Sequence, residues 1–132
     1  MSIDAVGNFL TIIRNGLMAS KPFVAAPHSK MNVSIAQILK DEGFIRNFVI
    51  LNDEDAVQPR IKLFLKYVDG ESVIHEITRV SKPSRRRYAG AGNIRPVIGG
   101  LGISILTTNR GILTNRKAKE LQVGGEVICT VW

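Results

Sequence analysis

Apolar side chains recur near the start of the chain at three- and four-residue steps. Val6, Leu10, Ile13 and Leu17 follow one another in this way, Phe9 widens the stripe, and Asp4 stands where a helix cap belongs. The spacing predicts a helix over residues 4–18. A short extended piece follows between Lys21 and Pro27. Ser29 then reads as the cap of a second helix, with Met31, Ile35, Ile38 and Leu39 on one face and Gly43 as its stop. Residues 44–51 are rich in β-branched and aromatic side chains, as in a strand. The polar stretch 52–58, which holds Asp53, Glu54 and Asp55, reads as a solvated turn ending before Pro59. From 60 to 68 the pattern alternates: Ile61, Leu63, Leu65 and Tyr67 face one way, and Lys62, Phe64 and Lys66 the other. Asp69-Gly70 is a turn signal and the expected boundary between two lobes, residues 1–70 and 71–132.

The second lobe reads as mostly strand. One strand is expected over 72–80, broken by Lys82-Pro83-Ser84, and a short one over 86–89. A loop through Gly90 and Gly92 precedes a helical turn expected over 94–98. Strands at 103–107 and 111–113 follow, then a short basic helix over 115–121 capped by Thr114, and a last strand over 126–131. The fold class is α+β. The first lobe is a small α/β unit ordered helix, strand, helix, strand, strand; the second is mostly β with one short helix.

Charge separates the lobes further. The 132 residues carry 18 Lys and Arg against 11 Asp and Glu, a net charge of +7. Residues 1–70 hold eight basic and seven acidic side chains, whereas residues 71–132 hold ten and four. No acid occurs between Glu76 and Glu120. Such a basic lobe favours a polyanionic partner, nucleic acid first. Other classes fall away. The single cysteine, Cys129, forms no intrachain disulfide, and with only His28 and His75 it makes no structural zinc site. No apolar run approaches the ~20 residues a membrane span needs. The N-terminus lacks the basic region of a signal peptide, so a soluble intracellular protein is expected. No metal, cofactor or small-molecule substrate is expected either. Cys129 lies among Val127, Ile128 and Val131 as a packing residue, and neither histidine has a partner for nucleophilic chemistry.

Three stretches can carry binding. The first is Lys82 with Arg85, Arg86, Arg87 and Tyr88, where guanidinium groups can clamp phosphates and the ring can receive a base or ribose. A solvated strand with a half-buried tyrosine is the bland alternative. With six basic residues and no acid between Arg79 and Arg95, binding is favoured. The second is the run Thr107, Thr108, Asn109, Arg110 and Gly111, whose hydroxyls, amide and guanidinium suit the minor groove of A-form RNA. An ordinary hairpin loop would have a similar composition. The third is Glu126, an acid at a strand start after Gly124-Gly125. It can accept from base amino groups or from a neighbouring loop, and a solvated strand end is as good a reading. The Gly99–Gly102 spacing formally matches a backbone-clamping Gly-x-x-Gly loop, but a strand rather than a helix follows it.

The run from Leu101 to Ala118, Leu-Gly-Ile-Ser-Ile-Leu-Thr-Thr-Asn-Arg-Gly-Ile-Leu-Thr-Asn-Arg-Lys-Ala, closely resembles the bacterial small-subunit ribosomal protein S-eight family. So do the ending Gly124-Gly-Glu-Val-Ile-Cys-Thr-Val-Trp, the segment Ile77-Thr-Arg-Val-Ser-Lys-Pro, the pair Arg87-Tyr88, the run from Ile38 to Ile45, the helix segment Leu10-Thr-Ile-Ile-Arg-Asn, and Ser29-Lys30. The resemblance covers essentially the whole chain, in order. It implies a structural, non-enzymatic component of the small ribosomal subunit in the cytoplasm, which binds a helix in the central domain of small-subunit rRNA and enters assembly early. Neighbouring small-subunit proteins are implied partners. In some bacteria the family also represses its own messenger RNA, so an extra-ribosomal translational repressor is the alternative. RNA contacts carry over onto residues 107–111, the strand around Arg86–Tyr88, and Glu126. In the N-terminal part, Asp4, Arg14, Asn15, Ser29 and Lys30 match family positions near RNA. The family loop usually has serine where Thr107 and Asn109 stand, the N-terminal helix often has a basic residue at the place of Ile12, and Arg85-Arg86-Arg87 is more basic than usual.

Overall fold

The computed structural model describes residues 4–52 and 58–132, so the expected turn at Asp53, Glu54 and Asp55 lies outside the described residues. The chain divides into two compact units between Ile74 and His75. One is Ala5–Ile74, and the other holds His75–Trp132 together with Asp4.

In the first unit, helix α1 spans Ala5–Met18 and buries Phe9, Leu10, Ile13 and Gly16. Gly16 is needed because a Cβ there would run into the side chain of Val24. Helix α2 spans Lys30–Asp41, and the Ser29 hydroxyl caps it by accepting the Asn32 N–H at 3.0 Å. Its other end is closed by Gly43 at φ 79°, with Phe44 N–H donating to Leu39 O at 2.8 Å and Gly43 N–H to Lys40 O at 3.0 Å. Strands β1 (Phe23–Pro27), β2 (Ile45–Leu51) and β3 (Arg60–Leu65) form an antiparallel sheet in the order β1-β3-β2. Alternation places Val24, Ala26, Ile61, Leu63 and Leu65 on its buried face. α1 packs on β1 and α2 on β2.

The alternating run expected over 60–68 ends as a strand at Leu65. Tyr67–Val68 (β4) instead pairs with Glu71–Ser72 (β5), closing a hairpin through Asp69 (φ 52°) and Gly70 (φ 80°). Two positive φ angles in a row are what such a two-residue turn demands.

The strand expected over 72–80 is therefore interrupted. Only Ile77–Arg79 (β6) belongs to the second sheet, because Val73 N–H turns back to Lys66 O, and His75 and Glu76 give their N–H groups to Trp132 O at 2.7 and 2.9 Å. Further along lie β7 (Tyr88–Ala89), β8 (Ile103–Thr108), β9 (Gly111–Thr114), α3 (Asn115–Leu121) and β10 (Gly125–Val131). The antiparallel order is β6-β10-β8-β9, and β7 pairs with the start of β10. Thr114 caps α3 by accepting the Lys117 N–H at 3.2 Å. The helical turn expected over 94–98 forms later, as a 3-10 turn at Ile98–Gly100. Pro96 explains the shift, since it disfavours helical backbone at Arg95 and has no N–H to give. Ile77, Ile103, Ile105, Leu106, Ala118, Ile128, Cys129 and Val131 make the core.

Candidate nucleic-acid interface

The start of β10 organises the site. Gly125 pairs with Ala89 of β7 on one side and Thr108 of β8 on the other; Glu126 likewise stands between Tyr88 and Thr107. Two glycines permit this approach. A Cβ on Gly125 would overlap the Thr107 carbonyl oxygen and lie 2.9 Å from its carbon, and one on Gly124 would lie 2.8 Å from the Cα of Gly90. The basic strand and the polar turn, twenty residues apart in sequence, thus flank one carboxylate.

The polar turn joins β8 to β9. Thr108 and Gly111 are paired, and Asn109 and Arg110 stand exposed at the tip. The Thr108 hydroxyl donates to Gly111 O at 2.8 Å and accepts the Arg110 N–H at 3.0 Å, so it shapes the turn. Gly111 takes φ 104°, which a side chain would oppose. Thr107 is half-buried beside Glu126.

Glu126 is held rather than free. Its Oε2 accepts from the Ser81 hydroxyl and from Arg86 Nη1 at 3.0 Å. Ser81 is 1% exposed, and its Oγ also accepts the Arg87 N–H at 3.1 Å. The Ser81 hydrogen bond, followed by the Arg86 hydrogen bond and charge, holds the Glu126 carboxyl below the usual carboxylate range, while partial burial opposes them. Around Pro83 and Ser84, Lys82 and Arg85 exchange backbone hydrogen bonds of 3.1 and 2.9 Å. This tight turn leaves Lys82, Arg85, Arg86 and Arg87 in solvent and Tyr88 73% exposed. A cluster of exposed guanidinium groups, with that of Arg86 anchored by Glu126, beside an open ring can hold phosphates and stack on a base.

Asp4 meets this unit from the chain start, where its carboxylate pairs with Arg79 Nη1. Arg79 Nε also donates to the Ser81 carbonyl, so Asp4 supports the Ser81 corner. The other N-terminal candidates lie in the first unit. Arg14 and Asn15 sit on α1, Ser29 caps α2, and Lys30 is exposed at its first turn. Sequence reasoning did not single out Ser81, the buried residue that links Glu126 to the basic strand. Its place directly before Lys82-Pro83 was the available signal. Among the described residues, no three His, Cys, Asp or Glu side chains gather as metal ligands, and no helix is long and apolar enough to cross a membrane.

The family described as Ribosomal protein S8 matches residues 4–132. The chain belongs to that family. Small ribosomal subunit protein uS8 of Marinobacter nauticus is 50% identical over 129 residues, covering 98% of this chain and 97% of the relative. The uS8 proteins of Pseudomonas fluorescens, over 129 residues, and Anaeromyxobacter sp. (strain K), over 130, are each 46% identical with the same coverage. Membership of the S8 family makes the chain a structural ribosomal component and not an enzyme. The match runs through both units, as the ordered resemblance in the sequence implied.

Proposed function

We propose that this protein is a structural constituent of the small ribosomal subunit that binds a helix in the central domain of small-subunit rRNA directly and helps that domain assemble beside neighbouring ribosomal proteins. The observation that supports it most is the flanking of Glu126 by Tyr88 and Thr107, which sets the basic strand and the Asn109–Arg110 tip on one end of one sheet. Lys82, Arg85, Arg86 and Arg87 supply phosphate contacts, whose affinity falls with salt and carries no sequence information. The turn tip supplies selectivity, since its amide and guanidinium can reach sugar hydroxyls and base edges in a wide minor groove. Glu126 holds the Arg86 side chain and, through Ser81, the Arg87 backbone, so that the basic strand is anchored at this point.

A gel-shift titration tests this division of labour. The purified protein is titrated against an rRNA fragment containing the central-domain helix, with a random duplex of equal length as competitor, at two salt concentrations. Binding to the fragment should survive the competitor, and the RNA should remain intact. Arg86→Ala should weaken binding to both RNAs alike, whereas Asn109→Ala should weaken the fragment preferentially. Equal loss on both RNAs for both variants would refute the division. Equal binding of the intact protein to fragment and duplex would refute site-specific recognition.

A further inference from the structure

The first unit has a sheet face that its helices leave open. Along β1, β3 and β2 the paired residues on that face are Phe23, Phe64 and Asn47, then Ala25, Lys62 and Val49, then Pro27, Arg60 and Leu51. The opposite face is buried along β1 and β3, at Val24, Ala26, Leu63 and Ile61, while on β2 it carries Phe48, half-buried, and Ile50, 50% exposed. A half-covered antiparallel sheet ordinarily turns polar residues to water. Here Phe23, Val49 and Leu51 are 44%, 38% and 42% exposed, while Phe64 is half-buried. The two phenylalanines are cross-strand partners with ring centroids 6.4 Å apart. Lys62 lies between them, its Nζ 3.8 Å from the Phe23 centroid and 5.2 Å from that of Phe64. Arg60 continues the same row, and none of the nine residues of the face is an acid.

The face is continuous with a groove. Between α1 and β1 lies an open cavity of about 620 Å³, lined by Ile12, Asn15, Ala19, Lys21, Phe23 and Ala25. Its size falls within the ~300–1,000 Å³ of small-ligand sites. Phe23 and Ala25 belong to both groove and open face, so an extended chain lying across the sheet would meet the rings, the cations and the groove in turn.

We propose that this face, with the groove beside Phe23, is a second RNA-binding surface that takes unpaired nucleotides. The physical warrant is the combination of groups. Single-stranded RNA offers phosphates at regular spacing and bases with free π-faces; proteins that bind it interleave cations with aromatic rings on an open sheet. Lys62 and Arg60 would meet phosphates. As Lys62 leaves the Phe23 ring for a phosphate, Phe23 and Phe64 would take bases, with the groove receiving one of them at its apolar wall. A duplex has its bases stacked away and cannot use the rings, so this surface differs in ligand from the one around Glu126. The choice of RNA as the polyanion rests on the function proposed above.

The test measures fluorescence anisotropy of a labelled oligoadenylate of about ten nucleotides, within the range of single-strand site sizes, alongside the rRNA helix fragment. The full chain is compared with a Phe23→Leu/Phe64→Leu variant, which keeps apolar bulk but removes both rings, and with Phe23→Tyr/Phe64→Tyr, which keeps them. Thermal melting followed by circular dichroism checks that each variant folds. Loss of the rings should weaken the oligonucleotide about tenfold or more and leave the helix fragment unchanged, and the tyrosine variant should bind both like the parent. The proposal is overturned if the leucine variant binds the oligonucleotide normally, if Arg86→Ala abolishes oligonucleotide binding while the leucine variant does not, or if polyglutamate displaces the oligonucleotide as well as unlabelled RNA does. Should the parent bind the helix fragment but not the oligonucleotide, only this inference fails. Should it bind the oligonucleotide but not the fragment, the earlier reading fails instead.

Discussion

Gly125→Ala is the sharpest single test of how the interface is built. A Cβ at Gly125 would overlap the Thr107 carbonyl oxygen and sit 2.9 Å from the carbonyl carbon and 3.0 Å from Thr108 Cγ2, whereas real Cβ atoms essentially never approach a neighbour within 3.0 Å. The obstacle is backbone in a paired strand, so no side chain can swing away. Retreat of β8 by ~1 Å would stretch ladder hydrogen bonds from ~2.9 Å towards 4 Å, beyond their useful range. Losing about two such bonds costs roughly 1–3 kcal/mol, and the residual crowding costs a similar amount. A total of ~2–6 kcal/mol is a large share of the ~5–15 kcal/mol that stabilises a domain. The same movement carries Thr107 and the turn tip away from Glu126, so selectivity for the rRNA fragment should drop along with stability. Urea unfolding followed by circular dichroism, together with the gel shift, measures both. Gly92→Ala is the control: its φ is not positive and nothing lies within 4 Å of its Cβ position. If Gly125→Ala unfolds within ~0.5 kcal/mol of Gly92→Ala and retains selectivity, the close approach of β8 and β10 is not what positions the turn.

The Glu126 carboxyl is held below its ordinary value, chiefly by the Ser81 hydrogen bond and then by Arg86. A carboxyl with a lowered folded-state pKa adds stability above its unfolded pKa and loses it as pH falls through the folded value. The stability gap between the parent and Glu126→Gln should therefore narrow on acidification, and a gap constant with pH in urea titrations would refute the assignment. Burial pushes the Cys129 thiol up to about 12, so a thiol reagent at pH 8 should label the protein only after unfolding; rapid labelling of the native state would contradict its core position. Ser29→Ala should cost about 1 kcal/mol through the lost cap, and Ser29→Asp should restore it. Equal thermal stability of all three proteins would show that the hydroxyl does not hold the start of α2.

What the sequence determined by itself was everything written in local periodicity and local capping chemistry. The three-and-four spacing from Val6 to Leu17, Ser29 and Thr114 as caps, Gly43 as a stop and the alternation of Ile61, Leu63 and Leu65 all act within a few residues, and each appears in the fold. The ordered family motifs were equally legible, because they need no geometry to be read. Tertiary structure decided what depends on partners far along the chain. The run 72–80 looks like one strand until Trp132 and Lys66 take its N–H groups, and Tyr67 looks like the end of β3 until it pairs with Ser72. The open face of Phe23, Lys62 and Phe64 also needed the sheet, since alternation alone does not say which side the helices cover. Glu126 read as well as a solvated strand end as it did as a contact. Only the pairing of β10 with both β7 and β8 gave it Ser81, Arg86, Tyr88 and Thr107 as neighbours. Hydrogen bonds and ion pairs act over a few ångströms, and the fold alone brings residues 81, 86, 107 and 126 within that reach.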